Sequence, residues 1–304
     1  MIGSSPQPCP SLACSIDLPP AYRARDILAF HGRDAQAVAE RVDGNMLRKG
    51  LAWRGQPACL TIRFDALRAD AMLSVDGAVG AGDADALGML LHRLLGLAQG
   101  IEEFERRYRN HAQLGPLIAS QSGLRVPVSA SPFEAITWAV TGQQISVGAA
   151  VSMRRKLIQV CGLKHSGGLA CYPDAGRVAG LSMESLRQAG FSQSKSQTLL
   201  TLGRMVSDGQ LPLESWTGGA LPVEEIRQQL LCIRGIGPWT VNYALLRGFG
   251  WLDGSLHGDA AVRRGLQALL QSTEKVTEIE AQRWLAGFSP WRALVAAHLW
   301  ASNA

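Results

Sequence analysis

Apolar positions along the chain follow two periods. Before about Leu97 they alternate in short runs, with Met46-Leu47-Arg48 and Cys59-Leu60-Thr61-Ile62-Arg63-Phe64 reading as strands after a helical stretch between Asp26 and Val42. Gly77 to Asp85, rich in Gly, Ala and Asp, reads as a turn region, and a helical period dominates from there to the C-terminus. The first twenty residues, rich in Pro, Ser and Cys, predict a poorly ordered lead. The pattern therefore predicts a mainly α protein with an N-terminal α+β domain: a lead at 1–20, an α+β domain at 21–99 and an all-α region at 100–304.

Helix starts are sharp in the second half. Ser131-Pro132-Phe133-Glu134 reads as a capping box with proline at the first helical position, and Ser289-Pro290 repeats the cap-and-proline start. Behind the latter, Trp291, Leu294, Val295 and His298 share one face while Trp300 lies on another. Leu221-Pro222 opens a helix with Val223, Ile226, Leu230 and Ile233 at spacings of three or four, and Asp259 precedes a periodic segment with Val262, Leu266 and Leu269.

Between those two segments lies Ile233-Arg234-Gly235-Ile236-Gly237-Pro238-Trp239-Thr240. Gly235 and Gly237 permit backbone conformations and close approach that a Cβ forbids, and Pro238 suits a first helical turn whose amide is unpaired anyway. Amides turned outward at a helix start bind phosphate, aided by the helix dipole, and such contacts position a protein on a nucleic acid without reading its sequence. The bare pattern is equally that of an ordinary helix-glycine-helix corner.

Composition narrows the classes without choosing one. With 304 residues and 47% hydrophobic content the chain can bury a sizeable core in two or three domains, and a net charge of +5 suits nucleic acid but also many other partners. The six cysteines show no C-x-x-C pairing, which points to neither a zinc ribbon nor a disulfide framework but to a reducing compartment. No apolar run reaches the roughly 18 residues of a bilayer span, and the N-terminus lacks a signal-peptide pattern. A cytoplasmic, membrane-free protein is expected.

Taken together, the Gly235-Ile236-Gly237 hairpin, Pro238-Trp239-Thr240 and downstream Asp259 resemble the helix-hairpin-helix superfamily of DNA glycosylases. Thr141-Gly142-Gln143-Gln144-Ile145-Ser146 and Pro290-Trp291-Arg292 through His298-Leu299-Trp300 resemble its 3-methyladenine DNA glycosylase II group, and Tyr22-Arg23, Leu28 to Arg33 and Met46-Leu47-Arg48 resemble that group's extra N-terminal domain. The resemblance implies the helix-hairpin-helix glycosylase fold, with two helical subdomains flanking an active-site cleft. It implies a monomer acting on damaged double-stranded DNA, associated with the nucleoid when bound, with no cofactor required and a monovalent cation at the hairpin left open.

The chemistry links these parts. An enzyme working on a base must extrude it from the duplex, and cleavage of the base–sugar bond develops positive charge on the sugar that a carboxylate can stabilise while orienting water. Asp259 is the candidate carboxylate; by position alone it is a helix cap. Trp239, Tyr243 and Trp300 are candidates for an aromatic pocket that attracts cationic alkylated bases, although aromatics at helical spacing also build cores. The backbone at Gly235, Ile236, Gly237 and Thr240, together with Gln143, Gln144 and Ser146, is the candidate DNA contact, Gln144 standing where some relatives carry leucine in the minor groove. Arg154-Arg155-Lys156 and Arg263-Arg264 read as solvated surface or as DNA contacts.

One substitution separates two mechanisms. Relatives that also cut the strand carry a lysine after the hairpin, which forms a Schiff base with the sugar. Trp239 stands in that place, and Lys195 and Lys275 lie far from it in sequence. A monofunctional enzyme excising alkylated purines is therefore expected, against a noncatalytic damage-binding protein or a bifunctional lyase. The proline common before the family aspartate is missing from Leu256-His257-Gly258-Asp259.

Overall fold

The structure, a computed structural model, describes residues 10–302. Alternating positions before Val75 build a five-stranded antiparallel sheet of β1 (Ser11–Asp17), β2 (Glu40–Asp43), β3 (Met46–Trp53), β4 (Gln56–Phe64) and β5 (Arg68–Val75), in the order β1-β5-β4-β3-β2. α1 (Ala24–His31) connects β1 to β2, and α2 (Asp83–Leu94) follows β5. Leu47, Leu60, Ile62 and Leu73 of the sheet and Leu87, Leu91 and Leu94 of α2 are shut off from solvent in one core.

Two expectations for this region are corrected. Residues 11–17, expected in a disordered lead, pair with β5 from Ser11↔Ser74 to Asp17↔Arg68, because Ile16 is buried against the sheet core and the backbone completes an edge; residues 1–9 of that lead lie outside the described residues. The first helix stops at His31 and Val42 belongs to β2. Asp34 ends the helical run: its carboxylate accepts the amides of Gln36 and Val38 and bends the chain toward the sheet.

The remaining chain is helical: α3 (Ile101–Tyr108), α4 (Leu114–Ser120), α5 (Pro132–Gly142), α6 (Val147–Cys161), α7 (Ala175–Ala179), α8 (Met183–Gln188), α9 (Gln193–Ser207), α10 (Val223–Leu231), α11 (Pro238–Phe249), α12 (Ala260–Leu269), α13 (Glu278–Ala286) and α14 (Arg292–Ala301). These helices enclose two cores that meet at α5 and α11. Val241, Ala244 and Leu245 of α11 join the core of α6 to α10, whereas Tyr243 and Leu246 join that of α3, α4 and α12 to α14. Gly248 lets α5 and α11 touch: a Cβ there would lie 3.1 Å from Cα of Pro132 and 3.2 Å from Cβ of Ala135.

Ser131 caps α5 by accepting the Glu134 amide, and Pro132 is its first residue, but the reciprocal half of the expected capping box is absent. The Glu134 carboxylate instead accepts the Ala130 amide and reaches Lys49 Nζ and Arg154 Nη2, each at 2.7 Å. Lys49 and Arg154 also pair with Glu40, which meets His31. This buried cluster of opposite charges fastens α1, β2 and β3 to α5 and α6. Arg154 is therefore not surface, and Arg155 is tied to Asp34 at 2.6 Å; the expected solvated run leaves only Lys156 exposed. Nor does Pro290 open α14, which begins at Arg292, where Asp253 accepts the Arg292 amide and the Ser289 hydroxyl.

His298 of α14, 1% exposed, shares a 2.8 Å hydrogen bond through Nδ1 with Gln121, and burial pushes its pKa down to about 4 from 6.5. The unfolded chain then takes up this proton first as pH falls, so the stabilisation is complete above the unfolded pKa and is lost as pH drops toward the folded one. Between pH 6.5 and 4 wild type should lose about 3 kcal/mol through this residue. In urea unfolding across that range His298→Gln should show a correspondingly shallower decline; parallel curves would contradict the assignment.

Candidate active site

The hairpin joins α10 to α11. Gly235 is held at φ +92°, and a Cβ there would collide with the Thr198 hydroxyl, so glycine is required twice over. Gly237 differs from expectation: its φ is −111° and nothing lies within 4 Å of where a Cβ would be. Its missing side chain serves access, leaving the start of α11 open. Among the described residues the amides of Gly235, Gly237, Trp239 and Thr240 meet no protein acceptor, whereas that of Ile236 is turned inward to Ile233 O at 3.0 Å and its side chain is buried. Open amides at a helix start, with the dipole of α11 behind them, are the groups that bind anions such as phosphate.

The other face of the hairpin is braced. Thr198 Oγ1 donates to Arg234 O at 2.9 Å, and Gln143 Nε2 donates to Gly235 O at 2.8 Å and to the buried Thr240 hydroxyl at 2.9 Å. The carbonyls of Ile233, Arg234 and Gly235 each accept one protein donor. Lys195, remote in sequence, lies close in space: its ammonium donates to Thr141 O and Gln143 O, each at 2.8 Å, and burial lowers its pKa. Gln143 is accordingly an internal brace. Gln144 projects from the tip at φ +59°, exposed together with Ile145 and Val147, while Ser146 caps α6 through the Ala149 amide.

Asp259 is both cap and focus. Its Oδ1 accepts the amides of Ala261 and Val262, at 2.8 and 3.0 Å, and the Trp300 indole N–H at 3.1 Å; Oδ2 accepts the Trp239 indole N–H at 3.1 Å. Without the family proline, the turn is set by the Asp259 amide on Leu256 O and by the Ser255–His257 hydrogen bond. The Tyr243 ring lies 5.3 Å from that of Trp239 and 6.2 Å from that of Trp300, so one carboxylate and three aromatics come together from α11, α12 and α14. Arg263 turns aside, toward Gly258 O and Glu278, and Arg264 remains exposed.

Sequence reasoning missed two cations at this group. Arg247, four residues after Tyr243 on α11, has its Cζ 5.5 Å from the Trp300 ring and 4.6 Å from Phe30; Arg33, arriving after α1, lies 3.9 Å over Phe30 and 4.7 Å over Trp138 of α5. Loss of hydration beside the surrounding protein lowers the pKa of each, that of Arg247 to about 10, against the opposing pull of the Tyr243 side chain. The i, i+4 spacing from Tyr243 is the signal that could have found Arg247, and no sequence signal brings Arg33 here. A separate cavity of about 540 Å³, lined by Trp53, Arg93, Phe133, Tyr172 and Glu214, contains none of these residues.

The model of the HhH-GPD superfamily of base excision DNA repair proteins matches residues 137–290, about half of the 304 residues and every element from mid-α5 through the hairpin and Asp259. The chain belongs to the HhH-GPD superfamily. This HhH-GPD protein is 28% identical over 191 residues to DNA-3-methyladenine glycosylase 2 of Escherichia coli, covering 62% of this chain and 63% of that one. It is 27% identical over 181 residues to DNA-3-methyladenine glycosylase of Bacillus subtilis, covering 59% of each. The matches thus span less than two thirds of either relative. In fold it is similar to a 3-methyladenine DNA glycosylase from Archaeoglobus fulgidus, with a TM-score of 0.79 at 21% identity over 95% of this chain and 98% of that one.

Gln143→Ala removes the donor from both Gly235 O and the Thr240 hydroxyl. A loss of about 1–2 kcal/mol in unfolding free energy is expected, with weaker duplex binding by fluorescence anisotropy. Unchanged stability and affinity would show that the brace is dispensable.

Proposed function

We propose that this HhH-GPD protein is a monofunctional DNA glycosylase that flips alkylated purines, such as 3-methyladenine and 7-methylguanine, out of duplex DNA and hydrolyses their bond to the sugar, leaving an abasic site. The observation that carries this reading is the Asp259 carboxylate, fixed between two indole N–H groups at the foot of an open phosphate clamp. Family membership and the names of its relatives agree with it.

The geometry suits the chemistry. A carboxylate has about four lone-pair sites, two on each oxygen. Oδ1 is already crowded by three donors, whereas Oδ2 meets one and keeps capacity for a water or for the cationic sugar. As the glycosidic bond breaks, its electron pair leaves with the base, which departs neutral; Oδ2 faces the positive charge growing on the sugar while water adds to the anomeric carbon and passes its proton to solvent. An alkylated purine is a good leaving group, and Trp239, Tyr243 and Trp300 offer it faces for stacking. Clamp amides hold the flanking phosphates, and the tip at Gln144 and Ile145 enters the gap left by the base. The scheme needs no cofactor and acts through one chain in the cytoplasm.

Strand cleavage is not expected. Trp239 occupies the place a lyase gives to lysine, and the nearby Lys195 has its ammonium bound to two backbone carbonyls. Incubation with duplex DNA carrying 3-methyladenine or 7-methylguanine should release free base, measured by chromatography, leave the strand intact until alkali is added, and give no borohydride-trapped adduct. Binding of damaged duplex without base release would overturn the enzymatic reading. A trapped adduct would overturn the monofunctional one.

A further inference from the structure

We infer that Arg33 and Arg247 read the 6-position of the extruded base, so that purines with a 6-keto oxygen are preferred over purines with a 6-amino group. This inference rests on the glycosylase reading of the Asp259 site and names the substrate class within it.

Two guanidiniums converge where the aromatic group ends. Arg247 approaches the Trp300 ring, whose indole holds Asp259, and both arginines interact with Tyr243, which lies between Trp239 and Trp300. Neither has a carboxylate partner among the described residues. The neighbouring acids are engaged elsewhere: Glu40 with Lys49 and Arg154, Asp34 with Arg155, Asp259 with the indoles. Each guanidinium gives the protein only part of its donor set, Arg33 Nε to Phe30 O at 2.6 Å and Arg247 Nη1 to Pro127 O at 2.9 Å, and Arg247 Nε is buried without an acceptor. Arg33 is exposed to solvent, within reach of a ligand.

Like charges gathered without an acid await an electron-rich partner. Both guanidiniums lie over the Phe30 ring, Arg33 also over Trp138 and Arg247 beside Trp300, so aromatics cover their faces and a partner meets them in plane, along their N–H edges. A 6-keto oxygen offers two lone pairs to such donors, the pairing by which arginine recognises guanine, whereas a 6-amino group sets N–H against N–H.

A matched pair tests this: 3-methylhypoxanthine and 3-methyladenine bear the methyl group at the same ring position and differ only at the 6-position. Release of each from duplex carrying it is measured under single turnover and divided by its spontaneous loss. Wild type should favour 3-methylhypoxanthine by about tenfold or more, and Arg33→Met should bring the ratio near one. Arg33→Lys, which keeps the charge without the planar fork, should give a ratio in between and serves should Met disturb the loop. Release of both bases with a ratio that Arg33→Met leaves unchanged overturns this inference alone. So does an equal loss for both bases with a shallower salt dependence, the signature of a phosphate contact. A wild type that releases neither base overturns the glycosylase reading and this inference with it.

Discussion

Four N–H groups converge on the Asp259 carboxylate, and the arrangement of the site depends on them. Two are backbone amides that start α12, and the others are the indoles of Trp239 on α11 and Trp300 on α14. A charged acceptor makes each of these bonds stronger than its neutral counterpart, so three helices are registered against a single side chain. α11 also begins at the hairpin and supplies residues to both helical cores. Holding the carboxylate in place therefore holds the open amides of the hairpin in place relative to it, the geometry that the proposed base excision requires.

α5 has a comparable reach from the other side. Its first turn carries Glu134 into the buried ion cluster with Lys49, Glu40 and Arg154; its middle presents Trp138 to Arg33; Gln143, its C-cap, braces the hairpin. The buried cluster is costly to disrupt by halves, since removing one partner leaves an uncompensated charge in the interior. Its contribution is positional: it fixes the N-terminal sheet and α1 so that the loop after α1 delivers Arg33 to the aromatic group. The N-terminal part thus reaches the site by Arg33 and Phe30, and the helices from α5 onward supply the acid, the remaining aromatics and the hairpin.

Much of this was legible in the chain, and the failures have physical causes. Hydrophobic period located β3, β4 and the C-terminal helices, and the glycine and proline placement located the hairpin, because those signals are local. β1 was missed because an edge strand of small residues is specified by its partner β5 rather than by its own composition. Glu134 and Arg154 read as a cap and a surface charge because their partners lie in a different domain. Distance along the chain misled for Lys195, which the fold sets against the loop that braces the hairpin. At Asp259 the helix-cap reading holds through Oδ1, and the catalytic carboxylate weighed against it is proposed through Oδ2, which meets the Trp239 indole alone.

That division of labour between two oxygens of one side chain is the central claim, and Asp259→Asn tests it. The amide oxygen of Asn can still accept the Ala261 and Val262 amides, so the cap survives while the charge is lost. Measured side by side, unfolding free energy should fall by about 1–3 kcal/mol, because the Asn amide sets N–H against the Trp239 indole N–H, whereas single-turnover release of 3-methyladenine from duplex DNA should fall by about a hundredfold or more. Release at the wild-type rate from a stably folded Asp259→Asn protein would contradict the account.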